Sequence, residues 1–346
     1  MRFRQQTRSR FAVSELVSIL IPAYNAQRWI AGTIESALAQ TWPHKEVIVV
    51  DDGSTDNTFK VAMRFASKGV RVVAQANQGA ASARNTAMNA AQGSHIQFLD
   101  ADDLLHPQKL SLQLAAADHG LSTRDLLTSA WGRFFVHTER AVFHHDALWQ
   151  THSPVDWIVT KFTANTFMFP ASWLVSRKLM ELARPWNERL SADDDGEYMC
   201  RLVAASQQVR FVPQAKSYYR IGNATSLSSQ KSEASLRSEM LSLRLCVEHL
   251  LRLEDSERTR GACVCLLQDK LGQFYPEQTE LVDQCHRLAS SLDGALVAPH
   301  ERLHFKLLRS VFGWRRAKAM RSRLNNTKLR VRRTMDRLSP VQALAH

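Results

Sequence analysis

Short apolar runs alternate with segments of helical spacing over the first hundred residues of the chain. The apolar runs have strand length, are rich in β-branched residues, and cover residues 17–21, 47–50, 70–73 and 96–99. Between them, apolar positions recur at helical spacing in residues 29–38, 61–65 and 80–91. Strands that alternate with helices in this way predict an α/β fold with a mainly parallel sheet.

Polar residues follow three of these runs at the point where each run ends. Tyr24-Asn25 follows the first run, Asp51-Asp52 ends the second, and the fourth leads into Asp100-Ala101-Asp102-Asp103. Because the carboxyl ends of parallel strands meet at one edge of a sheet, we expect a ligand site at that edge.

The acidic segment after the fourth run is the most informative of the three. Carboxylates this crowded repel one another unless a cation lies among them. The simpler alternative is a solvated turn in which Asp102 or Asp103 caps a helix that begins at Leu104. The glycine-rich loops that hold dinucleotides or triphosphates follow none of these strands, so metal and side chains would have to hold any phosphate here.

A second acidic cluster, Asp193-Asp194-Asp195, stands at the start of a predicted helix. The positive end of a helix dipole stabilises carboxylates, which suits either a catalytic acid or an ordinary helix cap. Between the two acidic clusters lie seven aromatic residues that suit a carbohydrate acceptor, although burial in the core is the simpler role for each: Trp131, Trp149, Trp157, Phe167, Phe169, Trp173 and Trp186.

Four segments in this order resemble the motifs of a family 2 glycosyltransferase. The segments are Ile19–Asn25, Val50–Thr58, Asn77–Asn85 and Leu99–Asp103. The resemblance covers residues 16 to about 225 and implies a GT-A fold, which is a Rossmann-like, mainly parallel central sheet flanked by helices. It further implies inverting transfer of a sugar from a nucleotide diphosphate sugar to a glycan or lipid-linked sugar acceptor, as in cell-surface polysaccharide synthesis.

The resemblance also implies how the donor nucleotide is held. Tyr24 would stack on the base, Asp51 or Asp52 would accept a hydrogen bond from it, and Arg84 would approach it, which suits uracil and hence a UDP-sugar. For the two aspartates the alternative is a helix cap, and for Arg84 a surface cation. The full set of implied nucleotide contacts is Pro22, Ala23, Tyr24, Asn25, Asp51, Asp52, Arg84, Asp100 and Ala101.

By the same resemblance, Asp102 is the direct ligand of a divalent metal ion and Asp100 lies near the metal or the ribose. Manganese or magnesium suits carboxylate and diphosphate oxygens and would act as a Lewis acid on the departing nucleotide.

Two further roles follow from the resemblance. Asp195 is the expected catalytic base and Asp194 the second choice, because Gly196 leaves the alignment to the family's Glu-Asp pair open by one residue. Arg220 is a candidate contact to the diphosphate, with a purely structural role as the alternative.

The chain divides by composition into three parts. We expect a basic N-terminal arm over residues 1–15, a glycosyltransferase domain over 16–228, and a helical C-terminal region over 229–346. The division within the domain is a nucleotide-binding half at 16–103 and an acceptor-binding half at 104–228.

The positive charge of the protein is concentrated near its C-terminus. Residues 301–340 hold thirteen Lys or Arg against two acids, a local charge of +11 against a formal +12 for all 346 residues. This basic tail suits an anionic membrane surface, and nonspecific nucleic-acid binding or a solvated helix are the alternatives; no specific nucleic-acid partner is expected.

Composition also bounds the compartment. Five cysteines without a Cys-x-x-Cys pair fit a reducing environment, and the sequence shows neither a signal peptide nor an apolar run long enough to span a bilayer. We therefore expect a cytoplasmic protein that docks on the inner face of the membrane. The competing functions are a non-catalytic membrane-docked binding protein with this fold and a sugar nucleotidyltransferase.

Overall fold

The computed structural model describes residues 15–117, 122–222, 232–299, 316, 320, 323–324 and 327–338. Its strands are β1 (Val17–Ala23), β2 (Lys45–Asp52), β3 (Val70–Gln75), β4 (His95–Phe98), β5 (Leu104–Leu105), β6 (Asp125–Phe134), β7 (Trp173–Ser176) and β8 (Gln208–Arg220). Its helices are α1 (Ile30–Leu38), α2 (Thr58–Met63), α3 (Ala80–Ala90), α4 (Lys109–Ala117), α5 (Pro154–Thr163), α6 (Arg177–Ala183), α7 (Asp194–Ala205), α8 (Glu233–Leu253), α9 (Glu257–Phe274) and α10 (Thr279–Ser290).

One sheet joins all eight strands in the order β3-β2-β1-β4-β7-β6-β8-β5. The β3-β2-β1-β4 half is entirely parallel, as the alternation of strand and helix predicts. β7 enters between β4 and β6 and runs antiparallel to both. The parallel order brings the ends of β1, β2 and β4 side by side at one edge.

The capping alternative for the first acidic segment is wrong. Leu104–Leu105 is a short strand that pairs antiparallel with β8, and the next helix begins only at Lys109. The acids therefore lie in the connection between β4 and β5 and not at the start of a helix.

The end of β8 also differs from the sequence expectation. Val209 to Pro213 reads as an edge strand and Ser217 onward as a polar loop, yet the strand continues to Arg220 and pairs with β6 on one side and β5 on the other. The register against β6 shifts at Ser129/Ala130, so residues 213–215 fall outside the ladder. Proline cannot donate a ladder hydrogen bond, and a bulge tolerates it.

The helical C-terminal region packs on the α/β domain instead of standing apart. Leu20 of β1, Trp157 of α5, Leu250 of α8 and Leu271 of α9 are all fully buried and belong to one continuous apolar cluster. The predicted boundary at residues 228 and 229 and residues 1–14 of the predicted 1–15 arm lie outside the described residues, as does most of the basic tail. No helix in the described part of the chain is both long enough and apolar enough to cross a membrane.

Candidate active site

The loop after β1 carries an exposed tyrosine, and hydrogen bonds hold the backbone of this loop in place. Tyr24 is 44% exposed, whereas Ala23 beside it is buried at the end of the strand. Asn25 adopts a left-handed φ of 49°, donates its N–H to Ser54 Oγ at 3.0 Å, and accepts from the N–H of Thr55 at 2.8 Å. Asparagine is one of the few residues that tolerates this conformation. The loop therefore holds a flat, accessible ring above the sheet edge.

Asp51 and Asp52 have different surroundings, and neither caps α2. Both oxygens of Asp52 are engaged, since Oδ1 accepts from Gln75 and from the N–H of Gln78 while Oδ2 accepts from the N–H of Gly79. Asp51 Oδ2 accepts from Ser54 N, and its buried Oδ1 has no hydrogen-bond partner among the described residues. Asp52 thus holds the third loop in place, and Asp51 has an oxygen to offer a ligand.

Arg84 joins the two acidic clusters. Its Nη2 lies 2.8 Å from Asp100 Oδ1 and its Nη1 lies 2.7 Å from Asp194 Oδ2, although 110 residues separate it from the latter. The guanidinium is buried and stacks on Trp186 at 4.4 Å. Burial alone would lower the pKa of Arg84, but the charges of Asp194 and Asp100 outweigh it and raise that pKa. The surface-cation alternative is therefore wrong, and a contact between Arg84 and a nucleotide stays a prediction.

The ion pair between Arg84 and Asp194 gives Asp194 and Asp195 different environments. Asp194 is ion-paired with Arg84, although burial still raises its pKa, whereas Asp195 Oδ1 accepts from the adjacent N–H of Gly196 at 2.9 Å. Burial, together with the neighbouring charges of Asp194 and Asp193, raises the pKa of Asp195 to about 7. A carboxylate with a pKa near neutrality can take up a proton from a hydroxyl and return it to solvent.

The helical region holds the loop that precedes this acid. Ser238 Oγ accepts from the N–H groups of Ser191 and Ala192, and Ser242 Oγ donates to Asp193 Oδ2 at 2.6 Å. Asp193 has a left-handed φ of 56°, a conformation that needs such support. The two serines of α8 were missed in the sequence, because only the packed fold shows that α8 reaches this loop.

Hydrogen bonds from α1 and β8 hold the acidic segment after β4 in place. Thr33 Oγ1 donates to the carbonyl oxygens of Ala101 and Asp103, and the N–H of Arg220 donates to Asp103 Oδ1 at 2.8 Å. Asp103 is buried, and burial followed by the charges of Asp102 and Asp100 raises its pKa well above the usual value.

These carboxylates suit a divalent cation as hard oxygen donors. After burial, the charges of Asp102 and Asp100 are the next causes of the raised pKa of Asp103, and a cation would relieve that repulsion. Within the described ranges, no three His, Cys, Asp or Glu side chains converge as a complete ligand set. The residues therefore fit a cation that takes one or two carboxylates here, from Asp100 and Asp102, and its other ligands from diphosphate and water.

Arg220 lies against the acidic edge. Its Nε donates to the carbonyl oxygen of Asp102 at 2.7 Å and its Nη1 to that of Phe135 at 3.1 Å. Burial lowers the pKa of Arg220 to about 10, even though Asp102 and Asp103 counteract part of that effect. Its predicted contact with a diphosphate remains a prediction beside these structural bonds.

Asp195 also borders a cavity of about 280 Å³ between α5, α7, α8 and α9. Asp195 and Lys161 line it together with apolar side chains such as Met199 and Leu243. Thr166 also lines it, and the buried Oγ1 of Thr166 has no partner among the described residues. An apolar wall with a few polar groups is the usual lining of a sugar or other small-molecule pocket.

Most of the aromatic residues suggested for the acceptor belong to the core. Trp157 and Trp173 are fully buried, and Trp186 is nearly so. Phe167 is 37% exposed and reaches the cavity. Tyr219, for which no role was predicted, packs on Phe167. Burial, and then the charges of both acidic clusters, raise its pKa.

Comparison with known proteins identifies the family. Residues 18–181 match the family described as Glycosyl transferase family 2. The chain is also 32% identical over 225 residues to an uncharacterized glycosyltransferase of Haemophilus influenzae, an alignment that covers 64% of this chain and 85% of that protein. The chain belongs to glycosyl transferase family 2. As a family 2 member it is a glycosyltransferase, which favours glycosyl transfer over the nucleotidyl transfer considered from the sequence.

Two further relatives of this family 2 glycosyltransferase are more distant in coverage or identity. It is 45% identical over 103 residues to the Escherichia coli UDP-Glc:alpha-D-GlcNAc-diphosphoundecaprenol beta-1,3-glucosyltransferase WfaP, which is 29% of this chain and 40% of that protein. The S. aureus TarS fragment 1–349, solved in complex with UDP, superposes with a TM-score of 0.64 over 90% of this chain and 88% of that one, at 18% identity. The structural likeness confirms the expected GT-A fold with its helical C-terminal region.

Proposed function

We propose that this protein transfers a sugar from a UDP-sugar to a hydroxyl of a lipid-linked glycan acceptor, with inversion at the anomeric carbon. The observation that carries the proposal is that the adjacent residues Asp194 and Asp195 have different environments. Asp194 is ion-paired with Arg84, while Asp195 has a pKa of about 7 and lines a cavity. A general base and a donor site on opposite sides of one sugar are what a single displacement requires.

In this mechanism the donor lies over the ends of β1, β2 and β4. Tyr24 stacks on the uracil, and the free Oδ1 of Asp51 accepts a hydrogen bond from its edge. A divalent ion bound by Asp100 and Asp102 would supply Lewis-acid stabilisation of the departing diphosphate. The acceptor sugar enters the cavity, and Asp195 removes the proton from the attacking hydroxyl.

The choice of UDP and of a lipid-linked acceptor rests on relatives. TarS has been solved with UDP and with UDP-GlcNAc, and WfaP and WfgD are named for a UDP-Glc donor and a diphosphoundecaprenol acceptor. The alignments to WfaP and WfgD each span 40% of those proteins, so their substrates are a guide to the class only.

We also propose that the enzyme works at an anionic membrane surface. Residues 327–338 form a helix, called the tail helix here, that turns Leu329, Arg333 and Asp336 toward the protein. Its outer side carries exposed Val331 and Leu338 among exposed arginines. Exposed apolar side chains bordered by basic ones suit adsorption to anionic lipid.

Calorimetric titration with UDP, GDP and dTDP, each with and without manganese, tests the proposed donor. We expect UDP to bind at micromolar Kd with manganese and to lose most of that affinity in chelator. Tighter binding of GDP or dTDP would reassign the donor, and a folded protein that binds no diphosphate would support the non-catalytic alternative.

A further inference from the structure

Three arginines from distant parts of the chain surround one tryptophan. The guanidinium carbons of Arg28, Arg220 and Arg333 lie 4.6, 4.5 and 4.6 Å from the centre of the Trp29 ring. Arg28 precedes α1, Arg220 ends β8, and Arg333 belongs to the tail helix. The fold therefore gathers three positive charges at one point.

This point borders the acidic edge of the active site. Arg220 donates from Nε to the carbonyl oxygen of Asp102 and from its backbone N–H to Asp103. The donor's diphosphate is expected beside Asp102, so the three arginines lie where its negative charge would be.

Arg333 has unused hydrogen-bonding capacity here. Its Nη1 donates to the carbonyl oxygen of Gly222 at 3.3 Å, while its Nη2 is buried and has no hydrogen-bond partner among the described residues. Buried donors in native proteins nearly always have a partner. Burial, and then the charges of Arg28 and Arg337, lower the pKa of Arg333.

The position of Arg333 is fixed by a separate anchor. Asp336, one turn further along the tail helix, accepts from the N–H groups of Val136 and His137 at 3.0 and 3.3 Å and pairs with Arg140 at 3.1 Å. These bonds dock the tail helix without using Arg333. The contacts of Asp336 thus attach the tail helix independently of the Arg333 guanidinium.

We propose that Arg28, Arg220 and Arg333 form a diphosphate-binding site at the entrance to the catalytic edge, completed by the tail helix. Guanidinium groups match phosphate oxygens through paired N–H donors, and cation–π contacts with the Trp29 ring bring the three groups together. The proposal rests on the proposed function for its ligand, because a diphosphate is present both in a nucleotide-sugar donor and in a lipid-linked acceptor.

Calorimetry on the full chain with manganese tests the site, using UDP in one arm and farnesyl diphosphate in the other. Arg333→Gln should weaken binding of one diphosphate about tenfold, the loss expected for one charge-assisted contact. Arg332→Gln is the matched control, because Arg332 directly precedes Arg333 in the same helix, carries the same charge and is exposed. Loss in the UDP arm assigns the site to the donor, and loss in the farnesyl arm assigns it to the acceptor.

Arg28→Gln removes a charge from the same site without touching the tail helix, so it should weaken the same diphosphate by a similar factor. If Arg28→Gln and Arg333→Gln both leave the two Kd values within twofold of wild type, the inference is overturned while the proposed function stands. If the wild type binds farnesyl diphosphate but not UDP, the proposed donor fails instead, and the farnesyl arm still decides the arginine site. Thermal melting checks that each variant is folded.

Discussion

At the scale of single residues, three adjacent aspartates have three different environments. Asp193 is hydrogen-bonded to Ser242, Asp194 is ion-paired with Arg84, and Asp195 is partly buried and forms no ion pair among the described residues. Burial, and then the charges of Asp194 and Asp193, raise the pKa of Asp195 and keep it easy to protonate. Sequence alone could not separate them, because the partner that neutralises Asp194 lies 110 residues away.

This difference predicts the pH dependence of transfer. As the proposed base, Asp195 would act in its deprotonated form, so transfer should rise with pH through an apparent pKa near 7 and level off above it. Asp195→Asn should lower transfer about 100- to 10,000-fold and leave the Kd for UDP within about twofold, since the side chain acts on the acceptor. UDP release from UDP-sugar with a membrane-extract acceptor measures transfer, and calorimetry measures the Kd.

Asp194→Asn is the contrasting variant. It leaves the buried Arg84 with only Asp100 as a charged partner, so it should lower the free energy of unfolding by about 1–3 kcal/mol. Asp195→Asn should instead raise stability above pH 7. The raised pKa means that the folded state binds this proton more tightly than the unfolded state, so ionisation costs stability between about pH 4 and 7. Retained transfer in Asp195→Asn would disprove its role as the base.

At the scale of elements, α7 and α8 act together to place the base. Gly196 lies in the first turn of α7, where a Cβ would be 2.4 Å from Asp193 Oδ1. Ser242 holds that carboxylate in place, so it cannot easily move aside. Gly196, which left the family alignment uncertain, is therefore required because the Asp193 side chain leaves no room for a Cβ.

Gly196→Ala should consequently lower both transfer and the thermal midpoint, although alanine favours a helix by about 0.5–1 kcal/mol. Gly261→Ala in α9 is the matched control, because its Cβ would meet no atom within 4 Å. That control should raise the thermal midpoint slightly and leave transfer unchanged. Equal responses of the two variants would contradict the positioning role of Asp193.

The elements also show what the sequence could predict. The parallel half of the sheet and its helices follow from local periodicity, and the ends of β1, β2 and β4 meet as expected because neighbouring parallel strands share an edge. The insertion of β7 between β4 and β6 depends on pairings between residues far apart in the chain. The roles of Arg84, Ser242 and Arg333 depend on the same kind of distant contact, which no local pattern encodes.

At the scale of the whole molecule, charge and exposed apolar surface coincide in the tail. A local charge of +11 over residues 301–340 accounts for nearly all of the protein's net +12. The same segment includes the tail helix, which is docked beside the catalytic entrance through Asp336. Adsorption of this helix to lipid would therefore bring the active site close to lipid-linked acceptors.

Sedimentation with vesicles tests this arrangement. The protein should bind vesicles that contain phosphatidylglycerol, bind pure phosphatidylcholine weakly, and dissociate as salt rises from about 0.1 to 1 M, which shortens the screening length from roughly 10 to 3 Å. Val331→Asp combined with Leu338→Asp should reduce binding several-fold, because both side chains are exposed on the tail helix. Val297→Asp, at a valine outside the tail that is more exposed than Val331, should have no effect. Salt-insensitive binding, or equal binding of all variants, would separate the tail from membrane attachment and leave its arginines to the diphosphate site alone.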